Sequence, residues 1–367
     1  MLYPYCILFN SFYIFKYSHM LLGTLYFLFV ITIVVFIHEF GHFIVAKMCG
    51  VKVLEFSIGF GKRLCGWKDS SGVDWNIRLL PLGGFVKMYG DDNASGSIGY
   101  KKKPSKNDLK YSLMYKHPLK KIAVASAGPL MNFVLAVVLY ICLFAWKGIP
   151  QAEPVIGTIM KNSQAEKIGL LPDDKIVEMN GVKISSFNDI RPVLIDAKEK
   201  VLLFELIRNN KVFSLVGEYK QGEPLGITAK DIKYFKSSFG EVIEKSFGEV
   251  WRICSGTIGG LWNIIAHQQG LKSIGGPIAI AKESAKAGSA GLFALISFIA
   301  LISTTLGIIN ICPIPLLDGG HIVLSSIELI IRRHLPNIVF QIFTYVGIVV
   351  IVLLMGLGFF NDIFIHR

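Results

Sequence analysis

The stretch Phe36-Ile-His-Glu-Phe-Gly-His-Phe-Ile-Val-Ala46 decides how the rest of the chain is read. It closes an uncharged apolar run that begins at Leu21, so three ionisable groups stand inside a segment long enough to cross a hydrocarbon core, which takes about 20 residues. Ionisable side chains are costly there and need partners or a metal. His38 and His42 are four residues apart, about 40° around a helix, so both imidazoles leave one face. That spacing suits a single zinc ion, with Glu39 beside it as a general base.

Composition agrees with a membrane setting. Mean hydropathy is +0.52, and 52% of the residues are hydrophobic against 17% charged, which excludes an ordinary soluble domain of this length. Runs free of Asp, Glu, Lys and Arg cover residues 21–37 (on to 46 if the His-Glu-His group is tolerated), 122–146, 287–317 and 335–361, four spans in all. Residues 47–121 hold 15 Lys/Arg against 6 Asp/Glu, whereas 147–286 hold 19 against 16. By the positive-inside rule the first loop is cytoplasmic and the second lies on the other side; Arg332-Arg333 then returns to the cytoplasm. The basic charge reports orientation, and no basic patch coincides with a nucleic-acid reading module, so no nucleic-acid partner is expected. Six scattered cysteines, without a CxxC pair, indicate neither a disulfide framework nor a cysteine zinc site.

The expected fold is a polytopic α-helical membrane protein with four transmembrane helices, a membrane-associated β-hairpin or reentrant loop and one inserted α+β domain. Residues 1–19 read as an N-terminal extension ahead of a natural start at Met20. Residues 20–46 are the first span and 47–118 a cytoplasmic loop. In that loop, alternating apolar and polar residues with Gly59, Gly61, Gly83 and Gly84 suggest a hairpin able to offer backbone edges. Residues 91–108 read as a solvated loop, 119–147 as the second span, and 150–220 as short strands with one or two helices, including an Asn180-Gly181 turn. Within them, "AEKIGLLPDDKIVEMNGVKISSFNDI" resembles PDZ domains of bacterial proteases, which bind peptides by adding a strand to an open sheet edge. Residues 235–286 suggest amphipathic helices on the membrane surface, opened by a capping box of Ser238 and Glu241. Residues 287–320 and 335–361 are the third and fourth spans.

A catalytic zinc usually keeps three protein ligands and one open position. Carboxylates at the apolar segments are few: Asp318, Glu328 and Asp362, besides Glu39. Asp318 stands in "INICPIPLLDGGH", where two prolines and two glycines break the helix; His321 competes with it.

His38-Glu39-x-x-His42 near the cytoplasmic end of the first span, with Asn310-x-x-Pro313-x-Pro315-x-Leu317-Asp318-Gly319 in a later one, resembles the site-2 protease family of intramembrane zinc metalloproteases. The PDZ-like insertion and "AGPLMN" (127–132) point to the branch typified by the regulator of sigma-E protease. The resemblance runs from about Met20 to the C-terminus. It implies Zn2+ as cofactor, His38, His42 and Asp318 as metal ligands, and Glu39 as catalytic base. It further implies substrate-binding roles for Asn310, with Pro313 and Pro315 of the same motif, and for Gly59 and Gly61 in a reentrant β-loop. The implied partners are single-span membrane proteins, such as an anti-sigma factor or remnant signal peptides, the lipid bilayer, and peptide C-termini or extended segments at the PDZ groove. The implied location is the bacterial inner membrane, with the PDZ domain outside the cytoplasm. Best-known members of the branch carry two PDZ domains, and this chain has room for one. A proton or cation transporter could also bury His, Glu and Asp, but no inverted repeat is present. An inactive scaffold would be expected to lack a ligand or the base, and none is missing.

Overall fold

A computed structural model describes residues 4–90, 108–197, 201–220, 224–267, 271 and 275–364, with only the backbone described for 4–21. Of the solvated loop read at 91–108, all but Asp108 lies outside these residues. The chain forms two compact units, residues 1–141 with 246–367, and residues 142–245.

The first unit begins with helix α1 (Pro4–Met48), which runs without a break through the stretch read as an extension and into the first span. Among the described residues, four helices are long and apolar enough to cross a membrane: residues Leu22–Met48 of α1, α2 (Pro118–Lys147), and two later ones at Leu292–Ile311 and Ile338–Phe364. The chain is a multi-pass membrane protein. Between α1 and α2, strands β1 (Val53–Lys68) and β2 (Asp74–Met88) form an antiparallel hairpin. Its tip is closed by Asp69, whose carboxylate accepts the backbone N–H groups of Ser71 and Val73, the Ser71 hydroxyl and the Trp75 indole N–H. These bonds, the Ser71 hydroxyl first, hold the Asp69 carboxyl well below its usual pKa.

Both strands bend, so that Phe56 faces Val86 on one side and Trp75 on the other, while Trp75 also pairs with Trp67. The bend in β1 lies at Gly59 and Gly61, both with positive φ (+86° and +84°), a conformation glycine adopts without penalty. It lets Phe60 stack on Phe85 and cover Gly83, where a Cβ would stand 2.4 Å from the Phe60 ring. The hairpin lies against α1 from Phe43, whose ring meets Trp75, to Thr32, whose hydroxyl donates to the Pro81 carbonyl. That is about 16 Å of helix.

The second unit is built from strands β3 (Ile149–Ala152) and β4 (Ile156–Ile159), helix α3 (Gln164–Ile168), strands β5 (Lys175–Met179) and β6 (Val182–Lys183), helix α4 (Ile190–Asp196), and strands β7 (Val201–Arg208), β8 (Lys211–Glu218), β9 (Ile227–Ala229) and β10 (Ile232–Phe235). β6-β5-β7-β8 form one antiparallel sheet, and β3–β10 and β4–β9 pair separately. Asn180-Gly181 and Asn209-Asn210, all at positive φ, make the tight turns expected of two-residue hairpin loops. The core gathers Ile156, Ile176, Met179, Leu202, Phe204 and Leu206, each fully buried. At its edge Asp174, 0% exposed, takes a two-point hydrogen bond from Arg208 and another from the Leu171 amide.

Helix α5 (Phe239–His267) follows, opened by the reciprocal Ser238 and Glu241 bonds of the capping box. It leaves Phe239, Phe247, Trp251 and Trp262 exposed. Helix α6 (Pro277–Ser289) packs on α1, with Gly23 against Ala285 and Gly288 against Tyr26; small residues let the two helices approach. Helix α7 (Leu292–Ile311) sets Leu295 and Ile299 against Val30 and Val34 of α1.

The third span breaks where the sequence reading put a broken helix, in the proline-rich segment before Asp318. It ends at Ile311 rather than reaching 320, and a separate helix α8 (Asp318–Ile331) starts after a six-residue break. Pro313 and Pro315 lack the N–H groups that would continue α7, and Leu316 sits at φ +73°. Gly319 lets α8 fold back on α7, since a Cβ there would lie 2.1 Å from the Cys312 carbonyl oxygen. Helix α9 (Asn337–Phe364) touches the break where Gly347 meets Pro315. Its Asp362 accepts the N–H groups of Gly276, Ile278 and Ala279 at the start of α6.

Candidate metal centre

His38 and His42 project from α1 and Asp318 from the first residue of α8, and the three ligand atoms lie within 4.8 Å of one another. The two Nε2 atoms are 3.2 Å apart, His38 Nε2 is 3.1 Å from one Asp318 oxygen, and His42 Nε2 is 3.4 Å from the other. A tetrahedral ion with bonds of about 2.0–2.1 Å has ligand-to-ligand edges of about 3.3 Å. The donor set therefore fits zinc. Two further observations favour a cation. Asp318 Oδ2, the oxygen facing His38, is buried without a hydrogen-bond donor among the described residues, and the His42 Nδ1–H donates to the Val124 carbonyl at 2.7 Å, which leaves the Nε2 lone pair facing the cluster.

The competing carboxylates are engaged elsewhere. Glu328 is paired with Lys121 at 2.7 Å and accepts the Leu335 amide, while Asp362 caps α6. His321 is not part of the cluster.

Glu39 is brought to the centre's flank by β2. A Cβ on Gly84 would stand 3.3 Å from Glu39 Cγ, and the Val86 backbone amide points at the Glu39 carboxylate. The strand that meets the base is thus residues 84–86. Gly59 and Gly61 lie farther along the hairpin, against Leu80, and form the bend behind this strand. Asn310 stands half-buried in the last turn of α7, and its side chain makes no hydrogen bond among the described residues. Pro313 and Pro315 lie in the break between α7 and Asp318.

Sequence reasoning missed the contribution of α2. Val124, Gly128 and Asn132, four residues apart on one helical face, all reach the cluster. A Cβ on Gly128 would fall 2.3 Å from His42 Nε2 and 2.8 Å from His38 Cε1, so only glycine admits both rings. The spacing was the available signal, but in an apolar span it is hidden among other small residues.

A family model described as "Peptidase family M50" matches residues 26–354. The chain belongs to peptidase family M50. Relatives named provisionally as zinc metalloproteases support the same assignment. One from Campylobacter jejuni is 35% identical over 91% of both chains. One from Rickettsia conorii is 34% identical over 94% of this chain and 99% of its own length. One from Mesorhizobium japonicum is 32% identical over 94% and 100%. This M50 protein is accordingly of the metalloprotease type, and its cofactor is zinc.

Proposed function

We propose that this M50 protein is an intramembrane endopeptidase of the regulator of sigma-E protease type, cutting single-span membrane proteins within or near their transmembrane segments. The observation that carries the reading is the His38, His42 and Asp318 triangle, with edges of 3.1 to 3.4 Å, built on a candidate span and flanked by Glu39. Zinc, held by these three residues, would supply Lewis acidity to the scissile carbonyl and the attacking water. Glu39 takes a proton from that water and returns it to the leaving amine.

A peptide bond in a helical span is shielded by its own hydrogen bonds and must be extended before attack. Residues 84–86, paired with β1 on one edge only among the described residues, offer backbone N–H and C=O groups to an extended segment beside Glu39. Gly59 and Gly61 then serve by shaping the bend that backs this strand. Asn310, whose amide makes no hydrogen bond among the described residues, and the Pro313 to Pro315 break line the substrate's side in this reading. Because the hairpin runs along a candidate span, it is a reentrant element in this reading.

The second unit is assigned as a single PDZ-like domain on the extracytoplasmic side of a bacterial inner membrane, taking peptide C-termini or extended segments. An anti-sigma factor or remnant signal peptides are the substrate classes proposed.

Cleavage of single-span test proteins, with and without folded external domains, by detergent-purified wild type and Glu39→Gln tests the reading. The wild type should cut and be silenced by a zinc chelator, while Glu39→Gln should lose about 10²–10⁴-fold in rate yet keep its zinc. Equal cutting by both proteins would remove Glu39 as the base.

A further inference from the structure

Asn132 is completely buried in the middle of α2, and its side-chain amide lies 3.2 Å from His38 Nδ1. With the NH2 group facing the ring, Oδ1 is left buried without a donor. The two amide ends are alike in shape, so the hydrogen-bond network decides which one faces the ring. With the amide turned over, Oδ1 accepts from Nδ1–H. The chemistry of the ring points the same way. An NH2 donor would require a bare Nδ1 and put the proton of a neutral ring on Nε2, the nitrogen that faces Asp318 and His42.

We infer that Asn132 is a positioning residue that holds His38 in its Nδ1–H form and fixes the ring plane, so that Nε2 presents its lone pair to the metal. The inference rests on His38 being a zinc ligand. The Val124 carbonyl does the same for His42, so α2 sets the tautomers of both rings. Asn132 is itself anchored, because the Ser303 hydroxyl of α7 donates to its backbone carbonyl at 2.8 Å. One turn of α2 is thereby tied to two other helices at the level of the metal.

The test uses the full chain in detergent, with Asn132→Leu, Asn132→Asp and His38→Ala beside wild type. Zinc affinity is read by competition with a chromophoric chelator, and coordination by the visible absorption of the Co2+-loaded proteins. Loss of an outer partner of a ligating histidine typically costs 10–100-fold in affinity. Asn132→Leu, similar in size and without an acceptor, should lose that much and shift the cobalt bands. Asn132→Asp, which keeps an acceptor facing Nδ1–H, should recover affinity and spectrum to within a fewfold of wild type. Wild-type affinity and bands in Asn132→Leu would overturn the role, as would equal losses in Leu and Asp variants, which would mark a purely packing residue. Wild-type zinc binding by His38→Ala would overturn the ligand assignment itself, whatever the Asn132 variants do.

Discussion

Asp174 is a fully buried carboxylate and Asp318 a partly buried one, and their surroundings are opposite. Asp174, in the second unit, is saturated: Arg208 grips both oxygens at 2.8 Å and the Leu171 amide adds a third bond. Asp318, in the first unit, faces two imidazoles and leaves Oδ2 without a donor. A closed carboxylate tethers a strand to a loop and contributes stability. An open one, set beside two imidazoles, is built to receive a cation. The difference separates a group that maintains a fold from one that carries chemistry, although residue type does not distinguish them.

The contrast can be broken at several points. The largest effect is expected at Gly128→Val. The first added carbon would stand 2.3 Å from His42 Nε2, so bound zinc should fall below detection while the second unit keeps its folded signature. Retained zinc would mean that α2 can move aside and does not cradle the centre. Gly84→Val comes next. Its side chain would press on the Ser57 carbonyl at 2.8 Å and on Glu39 at 3.3 Å, so cleavage should drop tenfold or more with zinc stoichiometry unchanged. Parallel loss of zinc would show that the strand supports the metal rather than the base. Arg208→Ala should act on the other side of the contrast. Removing one partner strands the Asp174 charge and should destabilise the second unit by about 3 kcal/mol in denaturant titration, with zinc affinity unaltered.

How much could be read beforehand follows the same division. In the second unit, alternating patterns and the Asn180-Gly181 turn marked strands and hairpins, because one face of a strand such as β7 is wet and the other dry. Within the spans that contrast disappears, since lipid and core are both apolar, and the four-residue spacing of Val124, Gly128 and Asn132 on α2 did not stand out from the small and apolar residues around it. What remained legible there was the exceptional chemistry. His38, Glu39 and His42 were conspicuous because charge is expensive in a span, and "PIPLLDGG" was conspicuous because proline stops helices. The break at the end of the third span was legible from its two prolines and two glycines; hydropathy alone could not place it, and the structure sets it between Ile311 and Asp318, where the tight Gly319 contact folds the chain back. Likewise, Gly59 and Gly61 were legible as special backbone positions, but the approach of residues 84–86 to Glu39 depends on a pairing between distant parts of the chain.

The measurement that tests the open-carboxylate assignment most directly is bound zinc per chain in wild type, Asp318→Asn and Asp174→Asn, purified identically. The account predicts one zinc in wild type, at least a tenfold loss in Asp318→Asn, and wild-type zinc in whatever fraction of Asp174→Asn remains folded. Full zinc in Asp318→Asn would contradict it and remove that residue from the site.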